Sequence, residues 1–133
     1  MAYDEAARMK ISKPDKAKAR PANPEHFEGT VRMHHLVTRE ESQELEIIAV
    51  FFDNGARTRP HIHSTDQVLA VVEGRCVVAS QTERHELQPG EHAHTPAGQW
   101  HWHGAAPGQD ACHISIRKPG PTDWDVPERD WKP

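Results

Sequence analysis

The chain has 133 residues, with 16 Lys and Arg against 20 Asp and Glu and a net charge of −4. That length fits one domain with a single core, and the charge gives no basic footprint for nucleic acid and no reason to expect a membrane surface. No apolar run approaches the roughly 18 to 20 residues of a membrane-crossing helix, and the polar N-terminus has no signal-peptide stretch, so a soluble cytoplasmic protein is expected.

Residues 1–27 read as an arm: they are polar, basic between Lys10 and Arg20, and interrupted by Pro14, Pro21 and Pro24. From Glu28 the texture changes to short runs rich in Val, Ile, Thr and Phe, broken by Gly, Pro, Asp and Asn. Residues 28–118 are therefore expected to form an all-β domain of sandwich or barrel type. The expected strands run over Thr30–Val37, Glu44–Phe52, Arg59–His63, Gln67–Val72, Arg75–Thr82, His92–Thr95, Trp100–Gly104 and Ala111–Lys118. Within Glu44–Phe52 both parities are apolar, Leu45, Ile47, Ala49 and Phe51 on one and Ile48, Val50 and Phe52 on the other, so this strand should be buried on both faces.

Asp53-Asn54-Gly55 and Gln88-Pro89-Gly90 are turn chemistry, and each precedes a ribbon of histidines. In the first ribbon His61, His63 and Gln67 share one parity and so face the same side of a strand; in the second His101 and His103 repeat the spacing. Facing each other, the ribbons make a metal pocket. Eleven histidines in so short a chain point the same way. His26, His34, His35 and His85 are expected to be ordinary hydrogen-bonded histidines, with His92 and His94 on the outside or rim. Cys76 and Cys112 are too few for a disulfide framework or a paired zinc motif and should be buried free thiols. Residues 119–133 form a proline-broken tail whose Trp124 and Trp131 should pack on the barrel exterior or on a second subunit.

The segment from Gly55 through His61-X-His63 and Gln67 to Gly74 resembles the first cupin motif, and Gly90 through Pro96-X-Gly98 to His101 resembles the second. The resemblance implies a cupin fold, a double-stranded β-helix or jelly-roll barrel, often dimeric, with the metal on His61, His63, Gln67 and His101. Gln67 stands where most metal-binding cupins carry Glu. Together with the run from His101 to Pro107, it makes the chain resemble the small bacterial manganese-dependent (R)-hydroxynitrile lyase cupins.

Three imidazoles and an amide oxygen form a neutral ligand set that leaves a metal its full 2+ charge, and hence a stronger Lewis acid. Ligand type alone does not choose among Mn²⁺, Fe²⁺, Co²⁺, Ni²⁺ and Zn²⁺; the resemblance favours manganese or iron. His103 shares parity with His101, and His113 with Arg117, so these side chains are candidates for the barrel mouth. Histidines beside a 2+ ion stay neutral near pH 7 and can accept a proton. The resemblance places His103 and His113 at active-site histidines, whereas Arg117 stands where a glutamine is expected and is suited to clamp a carboxylate. The sharpest expectation is a metal-dependent lyase cleaving cyanohydrins, a small-molecule enzyme and a homodimer or higher homo-oligomer. The rivals are an iron dioxygenase on the same ligands and a non-catalytic binding module.

Overall fold

The computed structural model describes residues 2–128 and 131–133. The first residue of the expected arm and residues 129–130 of the expected tail lie outside these. In chain order the strands are β1 (Arg20–Pro21), β2 (Phe27–Glu28), β3 (Val31–Val37), β4 (Glu46–Phe52), β5 (Arg57–Thr58), β6 (Ile62–His63) and β7 (Gln67–Glu73). They continue with β8 (Cys76–Ser80), β9 (Arg84–Leu87), β10 (His92–Thr95), β11 (His101–Ala105), β12 (Ala111–Arg117) and β13 (Thr122–Asp123). One 3₁₀ turn, Lys16–Lys18, precedes them.

The long strands fall where β-branched and apolar residues concentrate. They form two facing antiparallel sheets, β1-β3-β4-β12-β7-β10 and β2-β5-β11-β8-β9, with β13 added beside β6. This is the expected jelly roll. Strand β4 lies between β3 and β12 and is buried on both faces, but Leu45, expected within it, precedes the strand and is exposed. Val50 and Phe52 look inward to a core with Phe27, Val31 and Val71. Ala49 and Phe51 pack outward with Leu36 and Cys112, and Ala19 of the N-terminal arm rests against that outer cluster. The arm is thus tied to the barrel, by β1 on β3 and by Lys10 Nζ donating to the Leu36 carbonyl at 2.8 Å.

Three differences from the sequence expectation have physical reasons. Of the expected strand Arg59–His63 only Ile62–His63 is strand, as β6; a separate short strand, β5, ends before it at Thr58, and Pro60, with no N–H to give a ladder, lies in the break between them. Strand β9, Arg-His-Glu-Leu, was not expected: it is an exposed edge with no apolar alternation. The tail residue Trp124 turns back over the barrel mouth instead of packing outside, whereas Trp131 does pack on the exterior cluster of Val77, Trp100 and Trp102.

The inward face divides between apolar core and polar site. Alternation along β12 sends His113, Ser115 and Arg117 inward, and register places them opposite Val50, Ile48 and Glu46 of β4. Gly104 allows β11 to lie hard against β5, since a Cβ there would meet the Arg57 Cβ and the Ala56 carbonyl oxygen. This close approach carries His103, one residue earlier, into the barrel.

Candidate metal centre and cavity

The two histidine ribbons meet through their backbones: His61 and His101 exchange N–H···O=C bonds of 3.0 and 3.1 Å as an isolated antiparallel bridge. Pairing sets the two side chains next to each other on the inner face, and His63, two residues along, joins them. One nitrogen from each of His61, His63 and His101 lies within 4.8 Å of the others, and all three rings are buried.

Each ring has Nδ1 occupied. His61 Nδ1 meets the Arg59 carbonyl at 2.7 Å, His101 Nδ1 the Gln99 carbonyl at 3.0 Å, and His63 Nδ1 the Thr122 hydroxyl at 2.8 Å. A carbonyl can only accept, so these bonds fix Nδ1–H tautomers at His61 and His101 and turn Nε2 lone pairs towards the common space. His63 Nε2 is buried and has no partner among the described residues. An orphaned buried acceptor facing two more imidazoles fits a divalent ion. Gln67 lies beside them: its amide nitrogen donates to Ser115 Oγ at 2.7 Å, which aims Oε1 to within 3.1 Å of His101 Nε2.

Burial keeps the imidazoles neutral. It holds His61 well below the usual imidazole range, with His101 and His63 adding to the effect, and lowers His101 as well. His63 is lowered to about 3, first by burial and then by the Arg117 cation. Neutral imidazole is the form that ligates metal.

Beside the cluster opens a cavity of about 200 Å³ with an apolar wall of Phe27, Met33, Ile48, Val50 and Trp124 and with His103, Ser115 and Arg117 among its polar groups. His103 Nδ1 lies 2.8 Å from His113 Nε2, while His113 sits one layer back against Phe52 at 5.1 Å between ring centroids. Burial depresses both, His103 well below the ordinary value and His113 to about 4.

Arg117 also faces the cavity, but its terminal N–H groups are engaged by the protein. They donate to Thr65 Oγ1, the Gly120 carbonyl and Thr122 Oγ1 at 3.3–3.4 Å, and Glu46 lies 3.7 Å away.

All seven sequence-selected residues thus come together at one end of the barrel. His92 and His94 stay outside, His94 paired with Asp66 at 2.9 Å. His34 accepts the Asp15 N–H, and His35 and His85 are exposed. Sequence reasoning missed Trp124, whose ring stacks on His26 at 4.0 Å between centroids and meets His61 at 4.3 Å in a tilted contact, and Thr122, Ser115 and Glu46. A tryptophan in a polar tail was a signal that it packs somewhere, and Ser115 shares the parity of His113 and Arg117 on β12; nothing local marked Thr122 or Glu46.

Known proteins agree with this architecture. A cupin domain family model matches residues 48–116. The chain is 35% identical over 94 residues to an (R)-mandelonitrile lyase from Granulicella tundricola, covering 69% of this chain and 71% of that protein. Among solved structures it resembles a cupin-like protein from Thermotoga maritima at 31% identity and TM-score 0.76, over 80% of this chain and 84% of that one. A polyketide cyclase from Streptomyces resistomycificus, at 16% identity, TM-score 0.73 and coverage of 91% and 89%, shares the fold alone.

Proposed function

Starting from the chain's membership of the cupin family, we propose that it is a metal-dependent lyase acting on small hydroxylated or carbonyl compounds, most specifically a hydroxynitrile lyase. The observation that carries this reading is His103, a buried imidazole on the cavity wall whose Nδ1 is engaged by His113, leaving Nε2 for a substrate beside the three-histidine cluster. A divalent ion, manganese by preference, would be held by His61, His63, Gln67 and His101 and would supply Lewis acidity towards a substrate oxygen.

The chain's own residues do the rest. Phe27, Met33, Ile48, Val50 and Trp124 offer an apolar wall for an aryl or alkyl group and keep water away from the reacting carbon. With its Nδ1–H given to His113, His103 accepts the cyanohydrin hydroxyl proton at Nε2. The O–H electron pair becomes the carbonyl π bond, the C–C bond breaks, and its pair leaves on cyanide, which recovers the proton as HCN. A placed base contributes about 10²–10⁴ in rate. No covalent intermediate is needed, and the buried thiols Cys76 and Cys112 lie outside the cavity lining.

The test is parallel measurement of cyanide release and oxygen uptake by metal-loaded protein given mandelonitrile, a diketone or an aromatic diol. Cyanide release without oxygen uptake supports the lyase. Oxygen uptake on a diketone or diol without cyanide release assigns an iron dioxygenase instead, and inertness in both assigns a binding module.

A further inference from the structure

We propose that the C-terminal strand β13 is part of the metal centre: Thr122 holds His63 in its ligating orientation, and Arg117 holds Thr122. This rests on the metal-centre reading above and assigns Arg117 to positioning instead of substrate binding.

The three imidazoles are not oriented alike. His61 and His101 each rely on the carbonyl two residues before them, a partner the ribbon supplies by itself. His63 relies on a side chain 59 residues away, the Thr122 hydroxyl at 2.8 Å. Strand pairing brings it there: in the β13–β6 ladder Thr122 is directly opposite His63 and Asp123 opposite Ile62. Ser64 N–H donates to the Pro121 carbonyl at 3.2 Å, and Thr65 Oγ1 donates to the Lys118 carbonyl at 2.7 Å, so this strand follows the first ribbon closely.

Two guanidinium groups pin the strand. Arg117 donates to Thr122 Oγ1 at 3.4 Å and to the Gly120 carbonyl from both terminal nitrogens at 3.3 Å; Arg39 donates to the same carbonyl at 3.2 Å. Glu46, 9% exposed, binds Arg39 at 2.9 Å and faces Arg117 at 3.7 Å, balancing part of the buried charge. Because Arg117 can only donate, Thr122 Oγ1 is an acceptor in that bond, and its other lone pair is available for His63 Nδ1–H. That leaves Nε2, the orphaned nitrogen, as the lone pair facing the cluster. An anionic substrate at Arg117 would have to displace acceptors already in place.

Removal of an outer partner of a ligating histidine typically weakens metal binding about 10- to 100-fold. The experiment titrates Mn²⁺ and Zn²⁺ into chelator-stripped full-length protein against a fluorescent chelator at pH 7, with the melting temperature of each stripped protein as a folding control. Thr122→Val, isosteric but without the acceptor, should weaken binding about 10- to 100-fold with an unchanged melting temperature, and Thr122→Ser should restore most of it. Arg117→Gln should weaken binding in the same direction, while Arg117→Gln combined with Thr122→Val should be no weaker than Thr122→Val alone, because both act through one hydroxyl. Wild-type affinity in Thr122→Val, or additive losses in the double variant, would overturn the proposal. A wild-type protein that binds neither ion would overturn the metal-centre reading itself, a result separable from these.

Discussion

His103 Nδ1 and His113 Nε2 lie 2.8 Å apart with both rings buried, and His113 Nδ1 has no partner among the described residues. Two neutral imidazoles share one hydrogen in such a contact, so His113 sets which nitrogen of His103 is free. His103→Ala should lower kcat on mandelonitrile about 10²- to 10⁴-fold while metal stoichiometry stays at the wild-type value. Steady-state rates and elemental analysis on the same preparation check this; loss of metal together with rate would instead make His103 part of the metal shell.

Gln67 presents Oε1 to His101 because its amide is tied to Ser115. Gln67→Glu should keep or tighten metal binding but reduce the Lewis acidity of the bound ion, since an anion then offsets part of its charge. Cyanide release should fall at full metal occupancy. An unchanged or faster rate would show that the neutral ligand set is incidental to activity.

The fold and the inward placement of the histidine ribbons were legible because they follow from short-range rules. Parity put His61, His63 and Gln67 on one face, and glycine-bearing turns framed the ribbons. Alternation also carried His113 and Arg117 inward along β12. What was not legible depends on pairing across long separations. Thr122 reaches His63 only because β13 lies against β6, and Trp124 reaches His61 because the tail folds back over the mouth. Glu46 comes opposite Arg117 only through the register of β4 on β12. No local pattern carries such information.

Trp124 forms part of the cavity wall while stacked on His26 and tilted against His61. Trp124→Ala should raise KM for an aryl cyanohydrin roughly three- to tenfold, with a smaller effect on a short aliphatic one, because an aromatic contact is worth about 0.5–1.5 kcal/mol beyond area. Equal changes for both substrates would place the ring away from the aryl group.

Cys76 and Cys112 are buried, and burial pushes both thiols up to about 12. The native protein should resist a thiol reagent at pH 8 and react with two equivalents once unfolded. The same shift has a sign for stability. Between the ordinary thiol value, near 9, and about 12, an unfolded chain releases these protons and the folded one does not, so their contribution is intact below pH 9 and is lost as pH rises towards 12. Denaturant midpoints at pH 8 and pH 10.5 for wild type and Cys76→Ala/Cys112→Ala check it: the wild type should lose more stability over that interval.

The most direct measurement is the rate of cyanide release from mandelonitrile by chelator-stripped protein as Mn²⁺ is added back, alongside His61→Ala/His101→Ala. The account predicts negligible enzymatic release from stripped protein, a rise to a break at one metal per chain, and no rise in the double variant. Equal rates in stripped and loaded protein, or full activation of the double variant, would contradict the assignment of cyanohydrin cleavage to this metal centre.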